Sequence, residues 1–200
     1  KMLLLAILAG AYIALAGVGA TAAAVTVESG SLAKLLSACV FPAGLSMVIL
    51  AGSELFTGNC LMVMALLERR ITPAQLLRNW LTVYLGNAVG GAAVAALAVY
   101  GHTASLFGDG LARSMVSIAE SKAALGAGDA FLRGVLCNFL VCLAVWMAAA
   151  SKRAEGKVIA LFFPILLFVL CGYEHCIANL YYLPAGAFAA AEYGMETTLT

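Results

Sequence analysis

Charged residues are scarce in this sequence. They make up 10% of its 200 residues, whereas soluble domains carry about 25%. Hydrophobic residues reach 64%, the mean hydropathy is +1.03, and the formal net charge is only +1. So apolar a composition excludes an ordinary soluble domain, and the near-zero net charge argues against a basic surface for nucleic acid. The composition therefore indicates an integral membrane protein.

The sequence also lacks the motifs of disulfide, metal and membrane-enzyme chemistry. Its six cysteines form no CxxC pair and all lie in apolar stretches, which is typical of small buried side chains. His175 has only Cys171 and Cys176 close in sequence, too few ligands for zinc. There is no HExxH motif, and both aspartates lie in the loop 101–129. We therefore predict no catalytic residue, no metal and no cofactor.

Long apolar runs dominate the chain. They cover residues 2–27, 35–67, 80–100, 131–150 and 158–191. A hydrophilic connection over residues 101–129 is expected to contain a short interfacial helix. The second and the last runs exceed 30 residues, about 50 Å as helix, whereas a bilayer core is about 30 Å thick. Tilt absorbs only part of this excess, so we predict that both runs are broken near their middles.

The middles of the two long runs carry the same polar pattern, G-x-E-x-x-x-x-N. It is formed by Gly52, Glu54 and Asn59 in one run and by Gly172, Glu174 and Asn179 in the other. Matching interruptions predict an inverted repeat with a transport site near the membrane midplane. Repeat 1 then covers residues 1–100, and an incomplete repeat 2 covers 130–200, lacking the sixth span of the fold. The predicted fold class is an all-α integral membrane protein with one transmembrane domain over residues 1–200.

The basic residues are distributed unequally between the two ends of the predicted spans. One side collects Lys1, Arg69, Arg70, Arg78, Lys152, Arg153 and Lys157, and the other collects Lys34, Arg113, Lys122 and Arg133. Lys and Arg are enriched on the cytoplasmic side of membrane proteins. We therefore predict a multi-pass protein of the inner (plasma) membrane with a cytoplasmic N-terminus.

The polar residues at the predicted breaks favour an anion as the transported species. Each new helix N-terminus presents unpaired N–H groups and a positive dipole end. His175 can hold or share a proton with a small anion, because an imidazole titrates near neutrality; alternatively, it is a packed histidine that bonds backbone at the break. The Thr57 hydroxyl can donate to an anion, or it can cap a half-helix that starts near Gly58.

Other polar and aromatic residues near the breaks suggest structural or gating roles. A carboxylate in an anion path would repel the substrate, so Glu54 and Glu174 are predicted to bind freed backbone N–H groups. Asn59 and Asn179 are expected to serve similar structural roles. By spacing alone, Phe41 and Leu45, which are one turn apart, and Phe168, two turns before His175, are weak gate candidates.

Four stretches of the sequence resemble one known family. They are residues 51–59 (AGSELFTGN), 79–87 (NW followed by YLGN), 136–147 (LCNFLVCLAVWM) and 172–179 (GYEHCIAN). In this order they are similar to the formate/nitrite transporter family. The resemblance implies a homopentamer of aquaporin-like protomers with six spans each, in which every protomer holds its own pore. It also implies transport of formate, nitrite or hydrosulfide, with lactate in some members.

The resemblance assigns roles to particular positions. Thr57 and His175 match the centre of the pore, Lys122 matches a lysine at the outer vestibule, and Asn138 matches an asparagine of the fourth span. The matching constriction residues are Phe41 and Leu45 on the cytoplasmic side, Leu55 and Phe56 in the loop of the second span, and Phe168 on the outer side. Formate is the first expected substrate and nitrite or hydrosulfide the next, with passage either passive or coupled to a proton. A channel for a neutral solute is the alternative, although the Asn-Pro-Ala signature of aquaporins is absent.

Overall fold

The computed structural model describes residues 1–199, which fold into ten α-helices and one short 3-10 helix without any strand. The helices are α1 (Met2–Ala24), α2 (Gly30–Val40), α3 (Pro42–Ala51), α4 (Phe56–Asn59), α5 (Met62–Leu67), α6 (Pro73–Tyr100), α7 (Gly110–Ala123), α8 (Ala127–Ala150), α9 (Ala154–Leu170) and α10 (Cys176–Glu192). The 3-10 helix covers Thr103–Ser105. The all-α fold class predicted from the sequence is confirmed.

Four helical segments are long and apolar enough to cross a membrane. They are Met2–Ala24, Gly30–Ala51, Pro73–Tyr100 and Ala127–Ala150. The second of these joins α2 and α3, which are separated only by Phe41 ahead of Pro42. Many large apolar side chains on the outer faces of these helices are exposed, as expected for surfaces that contact lipid or neighbouring protein.

Both long apolar runs are broken, as predicted. The first break follows Ala51 and the second follows Leu170, and new helices begin at Phe56 and Cys176. Gly52 and Gly172 end the preceding helices in left-handed conformation, with φ of 67° and 70°. Only glycine adopts this conformation at little cost, which explains why the repeated pattern begins with glycine.

The tightest helix packing in the fold joins α1 to α6. A Cβ atom on Gly90 would lie 1.9 Å from the carbonyl oxygen of Ile7, so the two backbones touch where the side chain is missing. Small residues allow such close approach between membrane helices, where dispersion contacts replace the hydrophobic effect. This pair forms the rigid wall against which the first break is held.

The hydrophilic connection is more ordered than the sequence suggested. Its helix α7 packs against α10 and buries Leu111, Met115 and Val116, so the expected short helix is present and forms part of a packed core; its place at the membrane interface stays a prediction. Its apolar residues recur at helical spacing on one face, and this face is covered by α10. The opposite, polar face of α7 is left to line the cavity described below.

Candidate functional site

His175 and Thr57 meet in the interior, although 118 positions separate them in the chain. The Nδ1 of His175 accepts a hydrogen bond from the Ala178 N–H at 3.0 Å and caps α10. That nitrogen therefore carries no proton, and the ring proton of the neutral imidazole lies on Nε2. Nε2 lies 3.2 Å from the Thr57 Oγ1, to which it donates. Both side chains are buried, with exposed fractions of 4% and 2%.

Thr57 is not the cap of its half-helix. Helix α4 begins at Phe56, two residues earlier than expected, so Thr57 already lies inside its first turn. The freed Phe56 N–H donates instead to the Asn87 Oδ1 on α6, at 2.9 Å. Because Thr57 has no capping role, its hydroxyl is left for His175 and for any species that reaches the centre.

The two carboxylates of the repeated pattern bind side chains, not backbone. Asn59 Nδ2 donates to Glu54 Oε2 at 2.7 Å, and Asn179 Nδ2 donates to Glu174 Oε2 at 2.9 Å. The prediction that these carboxylates bind freed backbone N–H groups is therefore wrong. The physical reason is that other acceptors, on Asn87 and on His175, already hold the N–H groups of the new helices.

An aromatic layer covers His175 on one side. The rings of Phe41 and Phe168 meet edge to face with centroids 5.7 Å apart, and Phe168 stacks on the imidazole at 5.6 Å and 17°. The prediction that Phe41 and Phe168 belong to constrictions on opposite sides is therefore wrong. Helix α9 packs alongside both α2 and α3, and spacing within each helix could not reveal at which level the two rings meet.

Two spaces adjoin this aromatic layer. The larger, which we call the vestibule, is an open cavity of about 860 Å³ between α2, α7, α8 and the second break. The smaller has about 10 Å³, at the lower limit for one water molecule, and is walled by apolar side chains that include Leu45 and Leu55. Phe41, Phe168 and His175 border both spaces. The layer thus separates a wide polar cavity from a narrow apolar one.

Lys122 lies in the vestibule wall and is already paired. Its Nζ lies 2.7 Å from the Glu174 Oε2, and both side chains are largely shielded. The same ammonium lies 5.3 Å from the centroid of the Tyr182 ring, which adds a cation–π contact. This ion pair fixes the second break against α7.

Two of the predicted site residues, Phe56 of the constriction and Asn138 of the pathway, line neither of these two spaces. The Phe56 ring packs edge to face on Trp80 and Tyr84 and borders neither space. Asn138 of α8 lies 3.7 Å from the Cys142 sulfur, and its Oδ1 has no partner among residues 1–199. The roles of both side chains in transport remain predictions.

The sequence reasoning missed residues that the fold brings to the site. Lys34, Arg113 and Arg133 line the vestibule together with Lys122, although they were noted only as basic residues of one side. Their location on one predicted side of the membrane could have indicated this grouping, because four basic residues at one end of a small membrane protein are expected to lie close together. The walls of the narrow space were also missed, since Ile13, Val141 and Ile165 are ordinary apolar residues.

These features define a class of protein: a helical membrane protein with two interrupted helices whose restarting ends meet at a buried polar centre, reached through a cavity. Channels and carriers for small solutes are built in this way. The sequence profile described as "Formate/nitrite transporter" matches residues 1–200 of the chain. The chain belongs to the formate/nitrite transporter family.

Individual relatives agree with this assignment. The chain is 40% identical to the "Probable formate transporter" of Methanothermobacter thermautotrophicus, over 94% of the chain and 75% of that protein. It is 42% identical to "Formate channel FocA" of Haemophilus influenzae, over 91% of the chain and 65% of the relative, so it spans less than two thirds of that length. A solved structure titled "Pentameric formate channel with formate bound" superposes with a TM-score of 0.86 at 31% identity, covering 98% of this chain and 81% of the other. All three are named as transporters or channels, in agreement with the prediction that the protein is not an enzyme.

Proposed function

We propose that this protein conducts a small monovalent anion, formate first and nitrite or hydrosulfide next, across the membrane. The path runs from the vestibule past Phe41 and Phe168 to His175 and Thr57, and continues between Leu45 and Leu55. Membership of the family supports this assignment, as do relatives named as formate channels.

The observation that carries the proposal is the buried pair of His175 and Thr57. The imidazole donates through Nε2, and the Thr57 hydroxyl can turn its own proton towards an anion. An imidazole that has taken up a second proton can also transfer one proton to the arriving anion and return to its neutral form, which leaves a neutral acid. A neutral acid enters the narrow apolar space far more cheaply than its anion does, so the transport rate is expected to depend on pH.

The architecture around the two breaks supports an inverted repeat of the aquaporin-like kind. Each break begins with a left-handed glycine and is closed by a carboxylate that accepts from an asparagine five residues later. Asn87 on α6 ties the first break in place, and no amide from residues 1–199 does the same for the backbone of the second. We propose that a sixth span, the counterpart of α6, completes the second unit beside α8, where only 17% of an 18-residue window is buried.

Placement and assembly follow from the same proposal. The four basic residues of the side predicted to be external all line the vestibule, which we place outside, with the N-terminus in the cytoplasm and the protein in the plasma membrane. The similarity to a solved pentameric formate channel supports a homopentamer embedded in lipid, with one path per protomer.

The test is formate uptake into proteoliposomes that contain the purified protein. We expect uptake above that of empty liposomes, faster at pH 5 than at pH 8, and inhibited by nitrite and hydrosulfide. Thr57→Val keeps the shape of the side chain but removes the hydroxyl, and it should reduce uptake. Water or glycerol flux without any formate flux would instead indicate the neutral-solute channel, and pH-independent formate uptake would refute the role of His175.

A further inference from the structure

The charges that line the vestibule are strongly unbalanced. Four basic side chains face the cavity, but Glu174 is its only acidic one within residues 1–199. That carboxylate already accepts from both Lys122 and Asn179. The pair of Lys122 and Glu174 is close to neutral as a unit, so Lys122 supplies little net charge to the cavity.

Lys34 supplies an unpaired positive charge beside the second break. This residue lies in the second turn of α2, and its Nζ lies 4.0 Å from where a Cβ on Gly172 would stand. The ammonium is close enough to Lys122 and Glu174 to interact electrostatically with both. Among residues 1–199, however, no carboxylate forms a salt bridge with it and no acceptor forms a hydrogen bond. It therefore projects into the cavity with its three donors unused.

The two other basic residues of the vestibule lie on or near α7 and α8. Arg113 is exposed and donates to the Gly108 carbonyl oxygen at 2.7 Å, which holds its guanidinium at the loop before α7. Arg133 lies in the second turn of α8 and, like Lys34, is exposed; it is close enough to Glu174 to interact with it electrostatically. Lys34 combines an unpaired charge with a position beside Gly172, at the start of the break that leads to His175.

We propose that Lys34 forms a peripheral binding subsite, at which a small monovalent anion is held before it passes Phe41 and Phe168. The inference rests on the proposed function and deepens it, because it names the charge that recruits the substrate. A small anion on Lys34 replaces part of its lost hydration with the ammonium donors and with hydroxyls of the polar face of α7, where Ser117 and Ser121 line the same cavity. Because α2 forms one wall and the second break another, the anion is held next to the aromatic layer.

The experiment compares Lys34→Gln with two controls in proteoliposomes, using labelled formate at low ionic strength and fixed pH. Lys34→Arg keeps the charge. Lys152→Gln removes the same charge just beyond the far end of α8, a helix about 36 Å long whose beginning borders the vestibule. We expect Lys34→Gln to raise the KM for formate about three- to ten-fold with a nearly unchanged maximal rate. Lys34→Arg and Lys152→Gln should both stay within about two-fold of the wild type.

Salt provides a second readout that a merely structural lysine would not alter. The screening length falls from about 10 Å at 0.1 M to about 3 Å at 1 M, so the KM difference should shrink in concentrated sodium gluconate. An unchanged KM in Lys34→Gln, or an equal rise in Lys152→Gln, overturns the subsite while leaving the proposed function intact. A loss confined to the maximal rate also overturns it, because it assigns Lys34 a structural role. Absence of formate uptake by the wild-type protein refutes the proposed function itself.

Discussion

At the scale of single residues, the site depends on His175, whose two ring nitrogens form two different hydrogen bonds. Through Nδ1, His175 caps the helix that restarts after the second break, and through Nε2 it donates to Thr57. A doubly protonated imidazole has no acceptor left, so it would give up the cap on the Ala178 N–H. The capped resting state is therefore the neutral imidazole, and a proton passed to an anion must come from the imidazolium. The cap re-forms when the ring returns to the neutral form with its proton on Nε2.

Substitutions of His175 can separate its role as a helix cap from its role in proton transfer. Asparagine also caps helices well, so His175→Asn should retain most of the stability of α10, whereas His175→Ala should cost about 1 kcal/mol as a lost cap. Both substitutions remove the Nε2 proton and should abolish the pH dependence of formate uptake. Thermal unfolding in detergent and uptake between about pH 5 and pH 8 measure the two effects. If His175→Asn kept the wild-type pH profile, the proton role would be refuted.

The residues that sequence reasoning placed correctly are those whose partners follow from local pattern. Thr57 and His175 were predicted at one centre because each lies beside one of the two breaks and both match the pore centre of the family that the sequence resembles; the structure puts them 3.2 Å apart. Lys122 was expected at the vestibule, but its ion pair with Glu174 depends on how α7 crosses the second break. Lys34 was counted only as a basic residue beside a polar link, since nothing in the spacing showed that α2 would turn it towards Gly172.

At the scale of elements, Asn87 connects three parts of the fold. Its Nδ2 donates to the carbonyl oxygens of Ala6 and Glu54, at 2.7 and 2.9 Å, and its Oδ1 accepts from the Phe56 N–H. One fully buried amide thus satisfies backbone groups of α1, of the break and of α4. In a membrane, where water does not replace such bonds, the break depends on it.

Removal of this amide should therefore be severe. Asn87→Leu leaves three backbone groups without their partner, at about 1–3 kcal/mol each, so we expect a large fall in thermal stability and in the yield of folded protein. Thr82→Val, on the exposed face of the same helix, removes only a local bond to the Arg78 carbonyl and should change the midpoint little. Equal midpoints for the two variants would show that Asn87 does not hold the break.

The hydrogen bonds between Glu120 of α7 and the residues Thr197 and Thr198 are expected to be lost in acid. The pKa of Glu120 lies below the ordinary 4.5, first because the Thr198 N–H donates to its carboxylate and next because the Thr197 hydroxyl does. A pKa depressed by folding stabilises the folded contact above the unfolded value, and this contribution is lost as the pH falls through the folded value. We expect the Thr198 amide to lose protection from hydrogen exchange only well below pH 4.5, after correction for intrinsic rates.

Variants of α7 check the same contact at neutral pH. Glu120→Ala should leave the Thr198 amide unprotected throughout the pH range, whereas Ser117→Ala, one turn earlier on the helix, should behave as the wild type. Thr198 protection that persists in Glu120→Ala would assign the order of this segment to other contacts, such as the Met195 N–H bonded to the Ala190 carbonyl.

At the scale of the whole molecule, the sequence determined more of the fold than of its interior geometry. The excess length of two apolar runs and the repeated glycine and glutamate predicted both breaks, because helix rise and bilayer thickness are fixed quantities. The level at which Phe41 meets Phe168, and the packing of α7 on α10, depend on helix crossings that periodicity does not encode. The division of the interior into a wide vestibule and a narrow apolar space follows from those helix crossings.

If five protomers assemble and each holds its own path, flux should scale with the number of intact protomers. The narrow space of about 10 Å³ can be filled by Leu45→Trp, which should block one path while leaving the other four untouched. In pentamers mixed from equal amounts of wild-type and Leu45→Trp subunits, independent paths predict about half of the wild-type formate flux. A single central path that needs all five intact subunits predicts only about 3%. Measuring flux against the mixing ratio, with native mass spectrometry to confirm pentamers, decides between them, and a steeply curved dependence would contradict a path within each protomer.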